Sequence, residues 1–284
     1  MKILLKLLLK SELRRNSSAE KTISGFTMIE LLIGTIMAVI ITVPLLSFVV
    51  NILNTDVREE AKTNSEQDMQ AAISYIEEDI SQAIYIYDPT DGDFAAFASN
   101  LVSNGQFPVL VFWKRELVED AICSTGDCAD GADDGYVLAL VAYYERTETD
   151  PTSIWCQPAQ KAGTGCPTRI TRLQIQDGVK DISGSYVAGD DGVPDNGFVQ
   201  FDSSNYLAWT PNGAITKNPE VLVNYIENFT VDSVSNNNDL AQITVEGNAK
   251  RRLSGQFDTV DCNDVSPYCP EITAQVGKQS GLGE

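Results

Sequence analysis

Glu30 is the only ionisable side chain between Phe26 and Val50, a run of 25 residues reading FTMIELLIGTIMAVIITVPLLSFVV. A carboxylate in an apolar helix costs about 2.5–3.5 kcal/mol at the centre of a bilayer on insertion scales, so it normally marks function. Four residues upstream stands Phe26, preceded by Gly25. Four residues of helix place Phe26 N about 6 Å from Glu30 along the axis, close enough for a charged amine there to pair with the carboxylate. A carboxylate and an ammonium gain much from pairing where the dielectric is low, within one chain or between neighbours.

Other reactive groups offer less. The chain has no histidine, which removes the usual general base, the commonest zinc ligand and every Ser–His or Cys–His dyad. Six cysteines fall as three local pairs, Cys123/Cys128, Cys156/Cys166 and Cys262/Cys269, each in a loop by composition. None has C-x-x-C spacing, so disulfides between sequence neighbours are the simplest of the 15 pairings open to six cysteines. Buried, reduced thiols are the alternative. Disulfides would imply an oxidising compartment outside the cytoplasm. Asp190, Asp191, Asp195 and Asn196 crowd oxygen donors into a Gly/Pro loop, the donor type that calcium prefers. The loop is a single copy without a spaced bidentate Glu, and a soluble turn is the simpler reading of it. Asp127, Asp130, Asp133 and Asp134 form a second acidic loop, read as solvated. Trp113, Tyr143 and Tyr144 are either a platform for a sugar or partner, or core aromatics of strands. Lys250, Arg251 and Arg252, the one basic cluster of the body, read as a solvated turn or a dock for an acidic polymer. Paired carboxylates could serve a hydrolase, but so acidic a chain makes chance pairs inevitable, and no enzyme activity is expected.

Charge separates the two ends of the chain. Residues 1–25 hold six basic and two acidic residues, net +4, so the remainder carries −24 of the −20 total. So negative a body repels nucleic acid, which is bound through phosphate neutralisation by Lys and Arg. A nucleic-acid partner is excluded. At ~1.5 Å per residue the apolar run spans about 37 Å, more than the roughly 30 Å hydrocarbon core of a bilayer. Basic residues before it and acidic ones after place residues 1–25 in the cytoplasm and export the body. A signal peptide fits badly, since no A-x-A-like site follows and the apolar stretch is too long. Pro44, lacking an N–H, predicts either a bend in this helix or a tolerated membrane-helix proline.

The helix is predicted to continue. Leu53, Val57, Ala61, Met69, Ala72, Ile73, Ile76, Ile80, Ala83 and Ile84 recur at three- and four-residue intervals, and no Gly or Pro interrupts 45–88. Asp79 lies near this stripe and is read as a solvated edge. After Asp88 the pattern changes to short apolar runs between turns. Strands are predicted at Pro108–Leu117, Tyr136–Glu145, Arg169–Gln176, Val199–Asp202, Val221–Val231 and Leu240–Glu246. The stretch from Gly247 is polar, and its last residues, GKQSGLGE, are expected to fray. The fold class expected is α+β: a long N-terminal α-helix packed on a mostly antiparallel sheet. The divisions are 1–25, 26–50, 51–88 and a globular head from 89 to 284.

Gly25-Phe26-Thr27-Met28-Ile29-Glu30, with basic residues upstream and a long apolar run downstream, resembles the processing site of type IV prepilins. That resemblance implies cleavage of the leader 1–25 by a membrane prepilin peptidase, N-methylation of Phe26, and pairing of Glu30 with the terminal amine of an adjacent subunit. The helix-then-strand layout and ISYIEEDI (73–80) resemble J-type pseudopilins and W-type minor pilins. Residues 51–88, PVLVFWKREL (108–117), LALVAYYE (138–145) and ITRLQIQDGV (170–179) resemble cyanobacterial pseudopilins of hormogonium polysaccharide secretion. The partners implied are prepilin peptidase, other pilins or pseudopilins in a fibre, an inner-membrane assembly platform and the exported polysaccharide, in support of gliding motility. The location implied is the inner membrane, single-pass, with the head in the periplasm or at the cell surface. No cofactor is implied, and calcium at the Asp190 loop is the one candidate. The rival reading is a pilin-like adhesin that binds carbohydrate or a surface through its head.

Overall fold

The computed structural model describes residues 25–103, 105–123, 132–156, 165–200, 206–234, 240–253, 260–262 and 266–278. Two compact units meet between Thr55 and Asp56. One helix, α1 (Met28–Ser81), runs through that boundary. In the first unit its residues are all exposed. In the second, Ala61, Ser65, Met69, Ala72, Ile73, Ile76, Asp79 and Ile80 are buried, three or four residues apart. That spacing puts them on one face, as the periodicity predicts.

The helix ends at Ser81, short of the predicted Asp88. Gln82 N makes a last turn to the Asp79 carbonyl, and the chain then forms β1 (Ala83–Ile86). The run Ala-Ile-Tyr-Ile-Tyr satisfies a helical spacing, but its β-branched and aromatic residues also suit a strand. Pairing with a neighbouring strand decides between them: Ile86 lies opposite Phe112, and Tyr87 N donates to the Val111 carbonyl at 2.9 Å.

The sheet has seven strands in sequence order, every neighbouring pair antiparallel. After β1 come the short helix α2 (Phe94–Ala98), then β2 (Pro108–Cys123), β3 (Ala132–Thr147), β4 (Thr168–Gln176), β5 (Glu220–Val234), β6 (Leu240–Gly247) and β7 (Glu271–Gly277). The fold is therefore α+β, a helix packed on an antiparallel sheet. Five of the six predicted strands lie within observed ones. Val199–Asp202 does not form a strand over its described residues. Phe198 and Val199 instead cover a cluster of aromatics, and the Val199 carbonyl accepts a hydrogen bond from Trp209 Nε1 at 3.0 Å.

Strand β7 is unforeseen in the sequence. Its segment EITAQVG offers only Ile272, Ala274 and Val276 on one face, too weak an alternation to stand out from the polar stretch around it. The sheet has a core on each side. Met69, Ile73, Ile76 and Ile80 of α1 pack on Leu110, Phe112, Val141, Tyr143, Ile170, Phe229 and Ile243. On the opposite face Tyr87, Phe97, Trp113, Tyr144 and Trp209 form an aromatic cluster beneath loops.

Candidate functional site

Gly25, Phe26 and Thr27 precede the helix without regular structure. A β-carbon built on Gly25 would meet no described atom within 4 Å. Phe26 is 78% exposed. Helix α1 begins as Glu30 N and Leu31 N donate to the Thr27 carbonyl at 3.0 and 3.2 Å. Glu30 sits in that first turn, at the partially positive end of the helix, where a carboxylate is favoured.

From Met28 the helix is long and apolar enough to cross a membrane, and no residue of its most apolar stretch is buried. Its hydroxyls bond back to the helix: Thr35 Oγ1 donates to the Leu32 carbonyl at 2.9 Å and Thr42 Oγ1 to the Ala38 carbonyl at 2.6 Å. Such internal bonds leave few polar groups unsatisfied in a medium without water. Pro44 lies inside the helix, which continues through it. Its missing N–H removes the bond that the Ile40 carbonyl would otherwise accept.

In the head, Asp79 is buried rather than solvated, and it joins α1 to three strands. Its Oδ2 accepts from Arg172 Nε and Tyr143 Oη, both at 2.7 Å. Its Oδ1 accepts from Lys114 Nζ at 2.8 Å and Arg172 Nη2 at 3.1 Å. Lys114 also pairs with Glu116 at 2.5 Å, Gln174 bridges Glu116 and Arg172, and the Arg172 guanidinium lies over Tyr75. Two cations thus face two carboxylates. Burial pushes Asp79 up, but hydrogen bonds and charge from Arg172, with Lys114 and Tyr143, outweigh it and hold Asp79 below its ordinary carboxylate value. Burial and the Asp79 charge push the Tyr143 phenol well up. With both Asp79 oxygens occupied and its proton held off, the group serves as a lock between helix and sheet, not as an acid or base. Nothing near Asp79 in sequence signals this, since Tyr143 and Arg172 lie 64 and 93 residues away.

The remaining sequence candidates fall as follows. Trp113, Tyr143 and Tyr144 are fully buried and form core, not a platform. Cys156–Cys166 and Cys262–Cys269 are disulfide-bonded as expected. The third expected pair involves Cys128 and the Cys123 side chain, which lie outside the described residues, as do residues 1–24, Asp127 and Asp130. In the candidate calcium loop, Asp190 and Asp191 begin a 3-10 turn. Asp195 Oδ2 accepts from Gln176 N at 2.9 Å and Lys217 Nζ at 3.1 Å, while Asn196 donates to Thr216. Among the described residues, no three His, Cys, Asp or Glu side chains gather where they could hold a metal ion.

The basic cluster turns inward, contrary to the solvated turn expected. Lys250 is buried and donates to the Asp261 carbonyl at 2.7 Å. Arg252 pairs with Asp68 of α1 and lies over the Tyr225 ring. Tyr225 is the unopposed residue of a bulge in β5, because Thr168 faces Ile226 and Arg169 faces Asn224. It takes φ 63°, a left-handed conformation uncommon for a bulky residue. Lys250 and Arg252 thus fasten parts of the head to one another.

Compared with known protein families, characterised proteins and solved structures, the chain gives no match.

Proposed function

We propose that the chain is a minor pseudopilin, a structural subunit of a type IV pilus-like or type II secretion-like fibre. One observation carries the reading. The apolar stretch of α1 up to Val50 is exposed and carries a single carboxylate, Glu30, one turn beyond Gly25–Phe26, and the same helix later supplies a packing face to an antiparallel sheet. In this reading prepilin peptidase cuts after Gly25 and methylates the Phe26 amine. Glu30 then meets the amine of a neighbouring subunit and sets register as the fibre grows from an inner-membrane platform. The exported head stands in the periplasm or at the surface. The resemblance of residues 51–88, 108–117, 138–145 and 170–179 to hormogonium secretion pseudopilins supports a role in polysaccharide export and gliding. The adhesin alternative loses its aromatic platform, since Trp113, Tyr143 and Tyr144 are core.

The test is the mature N-terminus. Wild type, Gly25→Leu and Glu30→Ala are expressed with the native prepilin peptidase, and each chain is mapped by intact and peptide mass spectrometry. The expected result is a chain starting at N-methylated Phe26, with Gly25→Leu uncut. Glu30→Ala is expected to be cut yet missing from sheared fibres. A wild-type chain left uncut, or cut beyond Val50, would overturn the reading.

A further inference from the structure

Strand β7 forms an open edge of the sheet. It runs seven residues, pairs with β6 in unbroken register from Glu271↔Glu246 to Gly277↔Leu240, and has no strand on its other side among the described residues. Natural edges are usually blunted by shortness, a bulge, an internal proline or a lysine. The opposite edge strand, β1, has four residues and a register shift. None of these devices lies within β7, and its only charged residue is Glu271.

The side chains of β7 divide into two rows. Ile272, Ala274 and Val276 continue the face covered by α1, and Ile272 and Ala274 are only half covered there. Glu271, Thr273 and Gln275 extend a polar row shared with β6, in which Thr273 bonds Thr244 and Gln275 bonds Gln242, each at 3.0 Å. Glu271 and Glu246 end this row as like charges directly opposite each other, an unfavourable cross-strand pair. Among the described residues neither carboxylate has a Lys or Arg partner. Burial raises Glu246 above its ordinary value, and Glu227 and Glu271 add to the rise.

We propose that β7 accepts an eighth, antiparallel strand from a different polypeptide, one carrying Lys or Arg opposite Glu271 and apolar residues beside Ile272, Ala274 and Val276. Backbone pairing along the edge would give affinity, and the alternating side chains would give specificity. A basic residue at that register would relieve the Glu246–Glu271 repulsion. It would also suit a body carrying a net −24 outside residues 1–25. A second copy would bring another strongly acidic body to the same edge. The proposal is independent of processing after Gly25.

The test uses the full chain in detergent micelles and three fluorescein-labelled seven-residue strand peptides of alternating Val and Thr. One carries Lys at the register of Glu271 and one carries Glu there. The third is the Lys peptide N-methylated along the edge that would pair with β7. Fluorescence anisotropy should show the Lys peptide binding at least about fivefold more tightly than the Glu peptide. The N-methylated peptide should not bind, and Glu271→Lys should reverse the preference. Absence of binding, binding that survives N-methylation, or a preference unmoved by Glu271→Lys would overturn the proposal. Self-pairing through this edge, seen as disulfide-linked dimers of an Ala274→Cys variant, would overturn it in favour of a second copy.

Discussion

Asp79 and Arg172 form a two-pronged ion pair across 93 residues of sequence, with Nε at 2.7 Å from one carboxylate oxygen and Nη2 at 3.1 Å from the other. The carboxylate comes from the last turns of the helix and the guanidinium from the middle of the sheet. A planar fork meeting a carboxylate fixes orientation as well as distance, so the pair sets how the helix lies on β4. Lys114 and Tyr143 set the same relation to β2 and β3.

Removing one partner from this cluster should cost far more than removing its charges together. Asp79→Ala leaves Lys114 and Arg172 facing each other in a buried site, and breaking a buried pair in this way costs about 3–5 kcal/mol. Asp79→Asn keeps the shape and loses the charge, so it should still be strongly destabilising. The triple variant Asp79→Leu, Lys114→Met, Arg172→Leu should recover much of that loss, because the one charge left behind, Glu116, is partly exposed and keeps its hydrogen bond from Gln174. Urea unfolding followed by tryptophan fluorescence gives the three midpoints, and additive losses would contradict the account.

Acid should unlock the head in a defined window. Asp79 is held below its ordinary value, and Glu148, paired with Arg169 at 2.9 Å, is lowered from 4.5 to about 2. A carboxylate with a depressed folded pKa contributes stability above its unfolded pKa and loses it as pH falls through the folded value. The loss should therefore run from about pH 4.5 down to about 2. Glu145 acts in the opposite sense. Burial raises it, against a hydrogen bond from Phe229 N and with help from Glu227, so protonation favours the folded state and its benefit is lost as pH rises. Thermal melts should show stability flat or slightly rising from neutral toward pH 5, then falling. Glu145→Gln should reduce the rise to the part that Glu246, also raised by burial, contributes, and leave the fall.

What the sequence disclosed depended on whether the determining partner was nearby in the chain. Ala61 to Ile80 revealed their buried face, because a helix repeats its own pattern locally. Glu30 stood out because any charge does so in such a run. Asp79 misled, since a carboxylate beside an apolar stripe looks like an edge until Lys114 and Arg172 arrive from distant strands. Ala83–Ile86 misled for a related reason: its residues fit a helix face and a strand alike, and only β2 decides. Strand β7 was hidden by being an edge, half of whose side chains face solvent and are polar.

Gly247 is a packing glycine whose loss should be felt through one side chain. A β-carbon there would overlap Met69 Sδ and press Pro270 Cγ at 3.3 Å, while the residue's φ is not left-handed. Gly247→Ala should therefore destabilise by overpacking, about 1–3 kcal/mol. Met69→Ala alone should cost about 2–5 kcal/mol by leaving a cavity. The two changes compensate in space, so the double variant should lose less than the sum. A double-mutant cycle from chemical denaturation measures that difference, and strict additivity would show that Gly247 and Met69 do not meet.

The Cys262–Cys269 disulfide closes a seven-residue separation in the segment that fastens α1 to the sheet's far end. Around it, Asn248 holds Glu227 and the Val260 carbonyl, Lys250 holds the Asp261 carbonyl, and Tyr268 Oη donates to Glu59 of the helix. Arg252 adds its pair with Asp68. The crosslink restricts the unfolded chain and should contribute about 2.5 kcal/mol on loop-closure arguments. Its removal should act locally first, because the helix from Glu59 to Asp68 has fewer buried side chains than the stretch from Met69 to Ile80. In the paired variant Cys262→Ser, Cys269→Ser, amide hydrogen exchange should therefore quicken over 59–68 and in the 248–252 turn. The Asp79 lock should keep residues 76–80 protected. Equal loss of protection along the whole buried half of the helix would show instead that the fastening and the lock unfold as one unit.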